Sequence, residues 1–121
     1  MRRIPFAITL AVGLVLAACG GGSSGGSPAA AAEVKVVLSD FAFSAKTVEV
    51  PADKKVTLVL TNTGSVEHDF SVDALKIKVV VPPNGKPITQ EIGPLKAGTY
   101  DLYCSVAGHK ESGMTAKLVV K

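Results

Sequence analysis

From residue 33 to the end of the chain, apolar and polar side chains alternate with a period of two. The runs are EVKVVLSDFAF (33–43), KTVEV (46–50), KVTLVLTN (55–62), EHDFSV (67–72), KIKVVV (76–81), ITQEI (88–92), GTYDLYC (98–104) and MTAKLVVK (114–121). Successive side chains of a strand point to opposite faces, so this pattern specifies strands with one face in a core. A helix needs apolar residues at a spacing of three and four, and no useful stretch of the chain has it. Turn-forming residues separate the runs: Pro51-Ala52-Asp53, Asn62-Thr63-Gly64, Pro82-Pro83-Asn84-Gly85, Gly93-Pro94 and Ala97-Gly98. About eight short strands with regular turns predict an all-β sandwich in one domain, residues 33–121.

The N-terminal segment obeys different rules. Arg2 and Arg3 precede an apolar run from Ile4 to Ala18, the charged and apolar regions of an export signal, 1–18. The run is short for a membrane span, which needs about 20 apolar residues. Leu16-Ala17-Ala18-Cys19 resembles the lipobox of bacterial lipoproteins. That resemblance implies a diacylated Cys19 as first residue of the mature chain, and a chain held to a bacterial membrane on its periplasmic or other extracytoplasmic face. An ordinary cleaved signal, or an anchor helix with Cys19 incidental, is the alternative. Residues 19–32 continue as a Gly/Ser/Ala-rich stretch without charge, a tether spanning on the order of 20 Å. Without residues 1–18 the chain has 11 Lys against 10 acidic residues, with the Lys scattered among the strands. Nothing in that balance calls for a nucleic-acid partner.

Soft metal donors are scarce in the domain and unevenly placed. It holds one Cys (Cys104), two His (His68, His109) and one Met (Met114), and three of these four lie in CSVAGHKESGM, 104–114. With Cys19 assigned to lipid, Cys104 is a lone thiol in an exported chain, a liability unless something uses it. Alternation places Tyr100, Leu102 and Cys104 on one inward face. It places Val66, His68, Phe70 and Val72 on another, with Glu67, Asp69 and Ser71 opposite. Met114 opens the last strand pointing inward with Ala116, Leu118 and Val120. His109 falls in the loop, where Gly108 and Gly113 permit tight turns. Taken singly, these are a core histidine, a core-filling methionine and a solvated loop histidine. Taken together they are a thiolate, two imidazoles and a thioether converging at strand ends. Zinc sites have little use for a thioether. A trigonal His₂Cys set with a weak axial Met is a blue-copper site, and the mixture suits both Cu(I) and Cu(II).

With these residues the chain resembles the cupredoxins, the family of plastocyanin and azurin, over essentially all of 33–121. The resemblance rests on NTGSVEHDF (62–70) and on GTYDLYCSVAGHKESGM (98–114), a strand ending in Cys followed by Cys-x₄-His-x₄-Met. It implies a Greek-key sandwich with one copper ion at one end, held by His68, Cys104, His109 and Met114. It implies that Asp69 braces the Cys loop, and that the His109 edge is the exposed exit for electrons. Transient docking of redox partner proteins near His109, with Val106 and Ala107 in an apolar patch, follows from it, as does a monomer. The loop departs from plastocyanin, which is shorter between Cys and His, and from azurin, usually one residue shorter between His and Met. The expected function is therefore an electron carrier tethered by lipid, copper alternating between Cu(II) and Cu(I), and not an enzyme. Copper oxidases and nitrite reductases need further His-rich sites, and this chain has two His. The alternatives are an extracytoplasmic copper protein for delivery or storage, and an adhesion-type sandwich whose donor residues coincide by chance.

Overall fold

The computed structural model describes residues 31–121. The expected signal 1–18, Cys19 and nearly all of the tether lie outside the described residues. The chain forms β1 (Ala32–Ser39), β2 (Ala42–Phe43), β3 (Thr47–Val50), β4 (Val56–Asn62), β5 (His68–Val72), β6 (Ile77–Val81), β7 (Ile88–Ile92), β8 (Gly98–Tyr103) and β9 (Thr115–Val120). One 3₁₀ turn, Asp73–Leu75, joins β5 to β6. Four strands make one sheet in the order β2-β1-β4-β7, and five make the other in the order β3-β9-β8-β5-β6. The all-β sandwich is as the alternation predicts.

The differences from the sequence reading have physical causes. Residues 33–43 are two strands, giving nine where about eight were expected. The chain reverses at Asp40-Phe41, so that Leu38 pairs with Phe43 and Ser39 with Ala42. Phe41 has a φ of 62°, a left-handed conformation unusual for a bulky residue. β1 begins at Ala32, one residue before the expected domain boundary, paired with Val56. The sheets are mixed: β1 runs parallel to β4 and β3 parallel to β9, the remaining pairs being antiparallel. Side-chain alternation carries no information about strand direction.

The core lies between the sheets. Leu38, Leu58 and Leu60 of one sheet and Phe70, Leu102 and Leu118 of the other are fully buried or nearly so. Phe43 of β2 meets Phe70 of β5 edge to face across the gap, centroids 6.2 Å apart. Each such side chain contributes about 1.5–3 kcal/mol on removal from water. This packing gives the ends of the sheets a fixed frame on which a site can be held.

Candidate metal centre

The topology brings the donors together before any loop is considered. β5 and β8 are antiparallel neighbours, so the start of β5, His68, lies near the end of β8, just before Cys104. β8 and β9 are also antiparallel, with Tyr103 opposite Thr115, so Met114 lies beside Cys104. The Cys104 amide donates to the Met114 carbonyl at 3.1 Å and closes the loop at its base. Inside it, His109 N donates to Val106 O and Met114 N to His109 O. Gly108 and Gly113, at φ 81° and 95°, supply the left-handed positions that these tight turns require.

Three donor atoms form a triangle. Nδ1 of His68 and Nδ1 of His109 are 3.1 Å apart. Cys104 Sγ is 3.5 Å from the His109 nitrogen and 4.0 Å from the His68 nitrogen. His68, Cys104 and His109 are all buried and form the one metal-competent cluster of His, Cys and carboxylate groups found among the described residues. With metal–nitrogen and metal–sulfur bonds of about 2.0–2.3 Å, two donors on one ion can be at most about 4.3 Å apart. All three separations meet that limit. A thiolate with two imidazoles is soft enough for copper, so the residues fit the ion the donor set suggests. Met114 is fully buried in the same core, and its carbonyl accepts from the Cys104 amide at the edge of the cluster.

Burial raises the Cys104 thiol above its ordinary value, and backbone N–H bonds from Asp69 and Val106 oppose that rise without cancelling it. Asp69 N donates to Cys104 Sγ at 3.3 Å. The Asp69 carboxylate accepts from Ser105 N at 2.7 Å, Ser105 Oγ at 2.6 Å and Ser71 Oγ at 2.8 Å. The brace implied by the resemblance is present, and Ser105 is its other half. Alternation alone set Asp69 and Ser71 on the face opposite the core. Both are instead almost fully buried, on a face where Ser105 of the Cys104 loop bonds to the Asp69 carboxylate. Val66 was expected on the inward face and is 42% exposed, since it precedes the strand. His109 was expected to present an exposed edge. It is only 8% exposed, packed edge to face against Phe41 with centroids 5.1 Å apart.

Two further residues shape the site. Asn62 is fully buried, donates to Val66 O and Val81 O, and accepts from Gly64 N. It thereby pins the turn that delivers His68. Asp40 Oδ1 lies 3.3 Å from His68 Nε2. Asn before Thr-Gly signalled only a turn, and nothing local marked Asp40, which is 28 residues from His68.

The cupredoxin-like domain family matches residues 7–120. The chain belongs to that family. Among curated relatives, this cupredoxin is 28% identical over 111 residues to the copper-resistant cuproprotein CopI of Rubrivivax gelatinosus, covering 73% of this chain and 66% of that protein. It is 33% identical over 72 residues to an uncharacterized protein of Rickettsia prowazekii (strain Madrid E), covering 59% and 56% respectively. The chain thus spans about 56–66% of the length of the curated relatives it matches. Among solved structures, reduced auracyanin from Roseiflexus castenholzii superposes with a TM-score of 0.63 at 17% identity, covering 75% of this chain and 98% of that one. The periplasmic domain of cytochrome oxidase subunit II from Bradyrhizobium japonicum gives 0.62 at 17% identity, covering 74% and 83%. Auracyanin A, a "blue" copper protein from Chloroflexus aurantiacus, gives 0.57 at 20% identity, covering 74% and 99%. At these identities the structural likeness shows the fold.

Proposed function

We propose that this cupredoxin is a mononuclear type 1 copper electron-transfer protein, with His68, Cys104, His109 and Met114 as its ligands. The observation that carries the reading is the triangle of Cys104 Sγ and the two imidazole Nδ1 atoms, buried at the end of a rigid sandwich. Bound there, copper would supply a one-electron Cu(II)/Cu(I) couple. The protein's part is to keep the donors fixed. His68 and Cys104 sit at strand ends, Asp69 and Ser105 tie the Cys104 loop to β5, and buried apolar neighbours exclude water. Donors that move little on electron exchange keep the reorganisation cost low. The test is a visible spectrum after Cu(II) addition and again after ascorbate. An intense thiolate-to-copper band that bleaches and returns on reoxidation supports the reading; copper uptake without it removes the ligand set.

Met114 is the axial donor in this reading. Met114→Gln is expected to retain the copper and lower its reduction potential, because the axial ligand tunes that potential. Protein-film voltammetry checks it, and an unaltered potential assigns Met114 to packing alone.

Redox partners dock transiently at the site end. His109 lies under Phe41, and exposed Phe41, Val66 and Ala107 give that end an apolar surface. Small interfaces of this kind suit electron-transfer encounters. Ala107→Asp is expected to slow electron exchange with a partner while leaving the visible band in place. Stopped-flow mixing measures this, and an unchanged rate takes Ala107 out of the docking surface.

The likeness to a copper-resistant cuproprotein favours a second reading, copper handling by delivery or storage. Metal exchange separates the two: a carrier of electrons keeps its copper against a chelator, whereas a delivery protein surrenders it readily. The lipid on Cys19 and the extracytoplasmic location belong to the proposal on the strength of residues 2–19. No helix among the described residues is long and apolar enough to cross a membrane. Cys19→Ser is the control, since loss of the lipidated cysteine moves the chain out of the membrane fraction.

A further inference from the structure

The turn between β1 and β2 touches both imidazoles of the cluster. Asp40 reaches the far nitrogen of His68, Nε2, at 3.3 Å. Phe41 lies edge to face on His109. Asp40 is itself fixed: Ser65 N donates to Oδ1 at 2.9 Å and Ser65 Oγ to Oδ2 at 2.8 Å. Both carboxylate oxygens thus act as acceptors, and Oδ1 is the one that faces His68. The packing over the contact is close. A Cβ on Gly64 would lie 2.3 Å from Asp40 Oδ1 and 2.9 Å from His68 Nε2, so only glycine lets the 62–68 turn pass there. Phe41 adopts φ 62° to place the two side chains. A bulky residue persists in that region only where surrounding contacts impose it.

The hydrogen-bonding roles follow. Asp40 already accepts from Ser65 at both oxygens and offers His68 an acceptor, so His68 Nε2–H is the donor. A neutral imidazole protonated at Nε2 has its lone pair on Nδ1, the atom that faces Cys104 and His109. A carboxylate on the remote N–H of a metal-binding histidine also makes that ring a stronger electron donor. A negative charge near the centre favours the more highly charged state of a bound ion.

We propose that Asp40 is a positioning residue that locks His68 in the Nε2–H tautomer and, through its charge, biases the site toward Cu(II). The assignment rests on the cluster being a copper site. The metal-free chain also tests its first half independently.

The variants are Asp40→Asn, which keeps an acceptor oxygen and removes the charge, and Asp40→Ala, which removes both. In the metal-free full chain, ¹⁵N chemical shifts of the His68 ring report the tautomer. Wild type and Asp40→Asn are expected to show Nε2–H, and Asp40→Ala a mixture. In the copper-loaded chain, Asp40→Ala is expected to weaken Cu(II) binding 10–100-fold, the usual cost of losing such a partner, and Cu(I) binding less. Each tenfold gap between the two affinities equals a rise of about 59 mV in the one-electron potential. Asp40→Asn is expected to raise the potential while keeping the tautomer, which separates charge from hydrogen bonding. An unchanged tautomer and potential in Asp40→Ala would overturn the proposal. Should that variant fail to fold, an unchanged potential in Asp40→Asn overturns the electrostatic half. If wild type takes up no copper, the copper reading falls, and the ring shifts alone decide the tautomer assignment.

Discussion

Cys104→Ser is expected to abolish the visible charge-transfer band and to weaken copper binding by more than the 10–100-fold that follows loss of an outer hydrogen-bond partner. The hydroxyl is a hard, protonated donor where the site offers a soft thiolate. The fold should survive, because serine can accept the Asp69 N–H bond that Cys104 Sγ now accepts at 3.3 Å, and a loss of about 1 kcal/mol is typical. The same thiol sets the alkaline behaviour of the metal-free chain. Burial raises its folded pKa above the ordinary value of 9.0. The folded state therefore keeps the proton to higher pH than the unfolded state does. The stability this contributes is fully present below about pH 9 and is lost as pH rises through the folded pKa. Urea titrations of the metal-free chain should show a smaller alkaline decline in Cys104→Ser than in wild type. The part that remains includes Tyr103, whose hydroxyl its bond to Asp73 also holds above the ordinary value. Metal uptake must expel the same proton, so copper affinity falls as pH is lowered. Copper titration with absorbance checks the variant, and a surviving band would mean that another group supplies the chromophore.

Much of the site was legible in the sequence because alternation fixes which side chains share a face. Leu102 and Cys104, and His68 with Phe70 and Val72, point inward as the pattern requires. The Cys-x₄-His-x₄-Met spacing placed His109 and Met114 in one closed loop, and its two glycines occupy left-handed positions. What escaped the pattern was whatever depends on the other face of a strand or on distant segments. Nothing in HDFSV marks that the Cys104 loop bonds to its outer face, so the burial of Asp69 and Ser71 was hidden. The Asp40-Phe41 reversal interrupts an otherwise continuous strand-like run with a single Asp, and its contact with His68 forms only once β1 lies parallel to β4. The burial of His109 depends on the same reversal, because Phe41 is what covers the ring. The faces of the candidate donors were thus local properties of single strands, whereas the groups that hydrogen-bond to them belong to the sandwich as a whole.

Asp69 carries the other large expected effect. Its carboxylate is 2% exposed and is the acceptor for Ser105 N, Ser105 Oγ and Ser71 Oγ. Lys78 Nζ, 3.9 Å away, is a weak partner on an exposed side chain. Asp69→Ala leaves the Ser105 amide and two hydroxyls to find other acceptors in a covered space. Hydrogen bonds to a charged group contribute about 1.5–3 kcal/mol each, and the hydroxyls can rotate to recover part of the loss. A destabilisation of about 3 kcal/mol is expected. In a domain of this size that lowers Tm by roughly 12–24 °C. Asp69→Asn retains one acceptor oxygen but turns its amide toward a donor, so it should fall between wild type and alanine. The site should register the change as well. Ser105 follows Cys104 directly, and β5 and β8 pair in register only at Ser71 and Tyr103. Past that point the Asp69 bonds replace the backbone ladder. Without them the Cys104 loop is free to shift, and the thiolate-to-copper band should broaden or move even where copper still binds. Thermal unfolding followed by circular dichroism, with the copper spectrum taken on the same samples, measures both consequences. A loss under about 1 kcal/mol with an unmoved band would show that the loop is held by its own turns, Cys104 N to Met114 O and His109 N to Val106 O, and that the Asp69 carboxylate is a bystander.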